Sequence, residues 1–461
     1  FGSSTRFRHC PFRPTALRPA PRPALGAGER VMFRSLAIFA SVQIPAFGIH
    51  LLEESSRDSD IVDDKVRELQ GKAVEALSFR DFVSKFNRNY SEGTAQWAER
   101  EAIFADRKKE VLAFLRGPTQ SWTMGITQFA DYSESEYQAI LGYKGLPRSA
   151  SAASALLSAE RKWTYPPQFS VRGDGKLNDI VREQGGCGSC WAEAATATLE
   201  GQMEANKTVM NKLRQALDRM NKTSQAPTLS SQTFVSCTRN PRNCGGTGGC
   251  GGATVELAFD MIKEHGGIPL AVEWPYESGD GSTRECRMDV FKKASVGITG
   301  YEVLPSNKLH PLMQALYESG GAIAVSVDAT HWSMYMGGIF SDTSGMRKGD
   351  FTVNHAVTLV AYKVPKKGNA VPAPSSQSSG FRSEAQMGYW LIKNSWGTSW
   401  GEDGFIRLEM KENEAEHCGM DTKTHEGLAC DGDPDEAWVC GTCGVLYDSV
   451  YPTGVHLVDP A

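Results

Sequence analysis

No stretch of this chain is apolar for the ~20 consecutive residues that a membrane-spanning helix needs. The best candidate, Leu36–Ile44, is well short of that and is followed at once by Pro45. A basic excess is missing too. The 49 Lys and Arg stand against 54 Asp and Glu, a formal net charge of −5, which gives no reason to expect nucleic acid as a partner. The glycine-rich string from Asn243 to Ala253 is not followed by Gly-Lys-Ser/Thr, so it does not read as a phosphate cradle. Two Cys-x-x-Cys pairs occur, Cys187/Cys190 and Cys440/Cys443. About 250 residues separate them, where zinc spacings of this kind use about 15–20. No metal and no cofactor is expected. Cysteine itself is nearly missing from the first 186 residues, where only Cys10 occurs among the eleven of the chain. That distribution fits a disulfide-stabilised secreted or lumenal domain better than a cytosolic one.

What is present centres on Gln184-Gly-Gly-Cys187-Gly-Ser-Cys190-Trp-Ala192. The run that follows, Trp191 to Met203, is amphipathic and alanine-rich, so Cys190 is expected to open a helix. Unpaired backbone N–H groups and the dipole favour negative charge there, which lowers a thiol pKa and populates the nucleophilic thiolate. The glycines and Ser189 leave the approach to Cys190 open. A side-chain amide from Gln184 beside the Cys190 backbone N–H would form an oxyanion hole. The same Cys187/Cys190 spacing also suits a redox pair or half of a zinc site, although no thioredoxin-type strand precedes it.

Thiol catalysis needs a base that takes a proton and later returns it to the leaving amine. His355 lies between apolar residues in Val353-Asn354-His355-Ala356-Val357, and alone would pass for a packed structural histidine. Downstream, Lys393-Asn394-Ser395-Trp396-Gly397 offers Asn394 to accept from the imidazole and fix its tautomer, with Trp396 to cover that bond from water. Glu193, three residues after Cys190, would oppose a thiolate if it faced the sulfur, and is expected to point away.

The chain has 461 residues, 40% of them apolar and 22% charged, enough for two or three globular units. Residues 1–31 carry six arginines, five prolines and one acid, Glu29, the composition of an unstructured extension. From Met32, residues 32–48 read as a signal peptide, with Arg34, a short apolar run and small residues at Ala46 and Gly48. Residues 49–78 read as an acidic linker. Phe79–Phe114 has helical periodicity and heavy charge. Residues 146–160 are small and flexible, a segment open to proteolytic nicking. After the Cys190 helix, Met210, Leu213, Leu217 and Met220 fall at helical spacing. They are flanked by Asn206-Lys-Thr208 and Asn221-Lys-Thr223, two N-glycosylation sequons that mark surface positions. The second half is β-rich, with strands expected over 322–327, 351–361 and 388–392. A Pro/Ser/Gly-rich loop precedes the last of these.

The string around Cys190 resembles the active-site segment of papain-family cysteine proteases, the cathepsin L-like branch in particular, and the His355 and Asn394 segments resemble that family's other two motifs in the right order. Arg100, Phe104 and Val111 resemble half of the ERFNIN pattern of its propeptides, with Gln96, Arg107 and Leu115 where Glu and two Asn stand. Gly125–Asp131 resembles GxNxFxD, with Thr127 replacing Asn. The resemblance implies an α+β, papain-like two-lobed fold. Residues 161–461 would form the peptidase, with Cys190 on a helical lobe and His355 and Asn394 on a β lobe. Residues 79–145 would be a helical inhibitory pro-domain whose tail crosses the cleft in reverse and which acid releases. Cys187, not Cys190, would be bonded, giving Cys187–Cys250 and Cys237–Cys286, with a competing alignment that starts from Cys244. Gly252 and Ala253 would lie on the loop whose backbone pairs with substrate. Asp448 would be the floor of the S2 pocket, or else a surface acid. The other pairings of Cys244, Cys418, Cys430, Cys440 and Cys443 stay open. The implied partners are protein and peptide substrates and the chain's own propeptide. The implied setting is the secretory route, lysosomal, vacuolar or extracellular, and the protein is expected to act as a monomer.

Overall fold

The structure, a computed structural model, describes residues 58–142, 163–341, 350–366 and 384–458, apart from 223, 414 and 428. The expected N-terminal extension, signal peptide and maturation linker lie outside the described residues, as does most of the Pro/Ser/Gly-rich loop. Within the described residues no helix is long and apolar enough to cross a membrane.

Three helices begin the described chain: α1 (Asp58–Ala76), α2 (Phe79–Lys85) and α3 (Ala95–Arg116). The first falls in the segment read as a linker. Composition hides it, because its apolar positions bury little: Val66 and Leu69 are 41% and 56% exposed. Polar contacts hold it instead: Arg67 donates to the carbonyls of Phe114 (3.1 Å), Leu115 (3.1 Å) and Gly117 (3.0 Å), and Glu75 pairs with Arg116 and accepts from Lys108 through its carbonyl (2.8 Å). The carbonyls that Arg67 reaches lie in and just after the last turn of α3, where helix carbonyls lack the usual i+4 partner. Helix α2 starts at a capping box, Ser78 with Asp81, a motif in which two otherwise orphaned N–H groups are satisfied together. Phe79, Phe82, Phe104, Val111 and Leu115 pack as one cluster, joined by Ile126 and Ala130. So Phe104 and Val111, together with Leu115, supply the hydrophobic spine of this unit.

The chain then leaves the helices and joins the rest of the protein. Strand β1 (Trp122–Met124) pairs antiparallel with β6 (Tyr335–Phe340), Trp122 opposite Gly338. Gly338 has φ +87°, and a Cβ there would lie 2.5 Å from the Ser121 carbonyl, so only glycine lets this edge strand dock. A short helix, α4 (Glu134–Ile140), ends the segment.

Three of the following helices surround α5 (Cys190–Ala205), whose residues 190–203 are all buried. They are α6 (Lys207–Arg219), α7 (Ser231–Cys237) and α8 (Val255–His265). Helix α6 is the insertion between the two sequons, and Val209, Met210, Leu213 and Leu217 form its buried face. The Asn206 carboxamide caps it, accepting from the Val209 N–H at 3.2 Å, while Asn221 is exposed just beyond its end.

The other lobe is a sheet. Its strands are β2 (Gln168–Ser170), β4 (Gly300–Val303), β5 (Ile323–Val327), β8 (His355–Lys363), β9 (Gly388–Lys393), β10 (Phe405–Met410) and β13 (Ser449–Thr453), with β6 and the incoming β1. They run in the order β1-β6-β10-β9-β8-β5-β13-β4, and β2 pairs with β8. Helix α9 (Leu309–Ser319) packs on it, and β3 (Val296–Gly297) pairs with β14 (His456–Leu457). Strand β8 is central and fully buried over His355–Tyr362, which explains a run without polar alternation. The stretch expected as one strand over 351–361 is broken: β7 (Asp350–Phe351) belongs to a separate three-stranded sheet with β11 (Cys418–Asp421) and β12 (Ala437–Cys440). The break leaves His355 at the first position of β8, where the sheet meets α5.

Candidate active site

Cys190 is the first residue of α5, fully buried and outside any disulfide. Its neighbour in the preceding loop, Cys187, is bonded to Cys250, and Cys237 is bonded to Cys286. Cys244 pairs with Cys430, and Cys418 with Cys440. Backbone groups of Ala356, Trp191 and Gly142 point hydrogen bonds at the Cys190 sulfur. The Ala356 contact brings the start of α5 against the start of β8.

His355 is fully buried. Its Nε2 lies 2.8 Å from Asn394 Oδ1, and the same oxygen accepts from the Ser395 N–H at 2.8 Å. Nδ1 is buried without a hydrogen-bond partner. The indole of Trp396 lies over the imidazole, ring centres 4.8 Å apart, and Trp332 meets it edge-on at 6.2 Å. Burial pushes the His355 pKa down to about 4, with the Asn394 bond working in the opposite direction. Burial likewise pushes the Cys190 thiol up to about 12, outweighing the backbone hydrogen bonds that favour thiolate. Desolvation disfavours the charged form of each group, so in this closed chain both are neutral near pH 7.

What closes the site is the segment after α4. The Gln184 amide donates to the carbonyl of Ile140 (2.9 Å) and to that of Cys187 (2.9 Å). Two residues further on, Gly142 lies so close to the cleft wall that a Cβ on it would sit 2.2 Å from the Gly188 carbonyl oxygen. A Cβ on Gly252 would in turn lie 2.4 Å from the Gly142 carbonyl. The chain therefore runs between Gly188 and Gly252, over Cys190, with a carbonyl on the Gln184 amide. Gly252 has φ +93°, and its own carbonyl accepts from the Gly248 N–H at 2.7 Å; Ala253 beside it is fully buried.

Around this crossing the helical segment holds on by specific contacts. Phe129 packs edge-on against Trp396, ring centres 5.1 Å apart, and Tyr137 does so at 5.8 Å. Gln128 donates to the Trp396 carbonyl (2.6 Å), Thr127 to the Ser333 carbonyl (2.6 Å), and Tyr137 to the Ala329 carbonyl (2.7 Å). Asp131 is fully buried and accepts from Arg88 and Tyr90, each at 2.9 Å. Arg100 pairs with Glu136 and donates to the Asp131 carbonyl at 2.9 Å. The hydrogen-bonded guanidinium holds the Glu136 carboxyl down to about 2.

Several contributors were not singled out from the sequence. Ser395 donates to Gln184 Oε1 at 2.7 Å, turning the amide so that its N–H groups face the cleft. Its place in Asn394-Ser395-Trp396 was the available signal. Tyr276 donates to the Gln184 carbonyl at 2.8 Å and bonds Ser189 at 2.7 Å, and nothing local marked it. Glu193 turns to Arg182, Oε2 to Nε 3.6 Å, and Arg182 also pairs with Glu200. Burial pushes the Glu193 carboxyl up. Asp448, just before β13, is 3% exposed and accepts from the Ser326 hydroxyl. It is not a surface acid. Among the described residues no group of His, Cys, Asp or Glu is arranged to hold a metal.

Comparison with known proteins agrees with this geometry. The family described as "Papain family cysteine protease" matches residues 165–428, and "Cathepsin propeptide inhibitor domain (I29)" matches residues 79–137. Cathepsin J of Rattus norvegicus is 30% identical over 349 residues, 74% of this chain and 89% of that protein. A probable cysteine protease of Arabidopsis thaliana is 29% identical over 341 residues, and there the match covers 72% of this chain but 64% of the relative's length. The solved structure of a recombinant stem bromelain precursor superimposes with a TM-score of 0.54 at 26% identity, covering 81% of this chain and 97% of that one. The chain belongs to the papain family of cysteine proteases and carries, N-terminal to the enzyme, a cathepsin-type propeptide inhibitor domain.

Proposed function

We propose that Cys190 is the nucleophile, His355 the general base and acid, Asn394 its orienter, and Gln184 a donor to the oxyanion. In this reading the thiol gives its proton to His355 and attacks the scissile carbonyl. The tetrahedral oxygen takes its hydrogen bonds from the Gln184 amide and the Cys190 N–H. His355, charged at that moment, returns the proton to the leaving amine, and water then releases the acyl group. The observation that carries the proposal is the Ile140 carbonyl held by Gln184 at 2.9 Å beside Cys190. A peptide carbonyl is thus already held by one of the two donors that this reading assigns to the oxyanion. Gly252 and Ala253 then align the substrate backbone, Trp396 shields the His355–Asn394 bond, and Asp448 lies in the pocket for the residue before the scissile one. The chain works as a zymogen cut within residues 146–160, and as a lysosomal, vacuolar or secreted monomer glycosylated at Asn206 and Asn221. The test is to acidify the purified protein, add a thiol-directed epoxide and map the adduct. Modification of Cys190 with loss of peptidase activity supports the reading. Cys190→Ser should abolish turnover, and Gln184→Ala should lower kcat by about 10²–10³-fold. Full activity in Cys190→Ser ends it.

A further inference from the structure

The segment Cys418–Cys440 is the least expected part of the enzyme. Its two ends are joined by their own disulfide and lie side by side as β11 and β12. One side of it is fixed to the wall of the cleft that carries His355. Strand β11 runs parallel to β7, and Asp421 accepts from the Val353 N–H at 3.0 Å. Gly427 is packed so closely that a Cβ would lie 2.3 Å from the Val353 carbonyl oxygen. Val353 is two residues before His355.

Its other side is fixed to the opposite wall. Cys430 is bonded to Cys244 on the glycine-rich loop of the helical lobe. Around that bond the Asp431 N–H donates to the Arg242 carbonyl (2.8 Å), Asn243 donates to the Asp431 carboxylate (2.7 Å), and Arg242 to Asp433 (2.9 Å). This foothold stands next to the residue that borders the occupied cleft. The Asn240 amide donates to the carbonyls of Cys244 (2.6 Å) and Gly246 (2.9 Å) and reaches that of Gly252 at 3.5 Å. Gly252, in contact with the pro-segment at Gly142 on one side, would have its Cβ 2.0 Å from the Gly245 carbonyl on the other.

We propose that this segment is a strap across the cleft, covalently fixed at the glycine-rich loop, which closes the groove a short step beyond Gly252. The enzyme therefore takes peptides with a short N-terminal overhang and excludes those whose chain must continue past the strap. The direction rests on the proposed function, in which Gly252 and Asp448 hold the residue N-terminal to the scissile one. The charge of the strap fits the same substrate: Asp431, Asp435 and Glu436 are exposed on it and favour a free α-ammonium over an uncharged continuing chain.

The experiment uses the full chain with the pro-segment removed, and peptides sharing one sequence about the scissile bond but carrying two, four or six residues N-terminal to it. For the wild type, kcat/KM should fall by about tenfold or more from the shortest to the longest, a loss of about 1.4 kcal/mol or more. In the Cys244→Ser/Cys430→Ser protein the difference should shrink to about twofold or less. C-terminal extension should leave every rate unchanged. Arg242→Ala/Asn243→Ala, which loosens the foothold but keeps the bond, should give an intermediate ratio and guards against misfolding of the cysteine variant. The dissociation constants of the same peptides for Cys190→Ser should show the same length dependence. That readout needs no turnover, so its success beside failed turnover would bring down the proposed function and not the strap. Equal affinity for all lengths in the wild-type cleft, or a penalty on C-terminal extension, overturns the strap.

Discussion

Replacing Asp131 by Ala should open the closed chain at neutral pH. The carboxylate is fully buried and holds Arg88 and Tyr90, each at 2.9 Å, while Arg88 is itself 18% exposed. Removing one partner of a buried ion pair costs about 3–5 kcal/mol, because the other charge stays behind desolvated. Arg88 keeps some water, so the low end, about 3 kcal/mol, is the appropriate figure. The loss falls on the closed form, since Asp131 sits between the helices of the pro-domain and the Phe129 and Tyr137 contacts to the enzyme. At about 1.4 kcal/mol per factor of ten, the open population rises roughly a hundredfold. The assay is the rate at which a thiol-directed epoxide labels Cys190 in the intact chain at pH 7, where only the open form reacts. Arg80→Ala is the matched control. Its pair with Glu92 is 70% and 61% exposed, and such pairs contribute about 0–1 kcal/mol. It should change the rate no more than a few-fold. A labelling rate for Asp131→Ala within twofold of wild type would refute the claim that this buried pair holds the cleft shut.

The other expectations are shorter. Gly142→Val puts a side chain where even a Cβ would meet the Gly188 carbonyl at 2.2 Å, so the epoxide should label this intact chain at nearly the rate of the processed enzyme; protection equal to wild type counts against the crossing. Glu136 has its pKa lowered to about 2 from the usual 4.5, so its pairing with Arg100 stabilises the closed form fully above about pH 4.5 and fades only as pH falls toward 2. Glu136→Gln should then lower the melting temperature at pH 6, with the difference from wild type disappearing toward pH 2; a difference already gone at pH 4 would refute it. Asp448→Ala should reduce kcat/KM for an Arg-Arg substrate roughly ten- to a hundredfold, matching a charge-assisted hydrogen bond of about 1.5–3 kcal/mol, and spare a Phe-Arg substrate; an equal change in both would remove Asp448 from the pocket.

Legibility in the sequence followed from how local each signal was. Cys190, His355, Asn394 and Gln184 stood in short strings whose chemistry could be argued residue by residue, and the apolar runs of β5, β8 and β9 announced a buried sheet. Helix α1 was hidden because its tethers are long-range polar contacts, such as Arg67 reaching carbonyls 47 to 50 residues away, and composition carries no trace of them. Tyr276, 92 residues from Gln184, was hidden for the same reason. The Cys244–Cys430 bond, with a sequence separation of 186, could not be read from spacing at all.

The reading of the thiol shows where a correct local argument gives an incomplete answer. Position at the start of α5 favours thiolate through the helix dipole and nearby N–H groups, worth about 0.3–1 kcal/mol at an exposed site. Burial of the sulfur under Gly142 acts in the opposite sense and is larger, since the thiol is pushed up to about 12 and His355 down to about 4. Both shifts have the same cause and the same direction in function: each group is held neutral while the pro-segment excludes water. On the roles proposed for Cys190 and His355, the pro-segment then inhibits both by filling the cleft and by keeping water from the two groups. In that reading, departure of the segment relieves desolvation at both groups together and leaves the helix N-terminus and Asn394 to stabilise the charged pair.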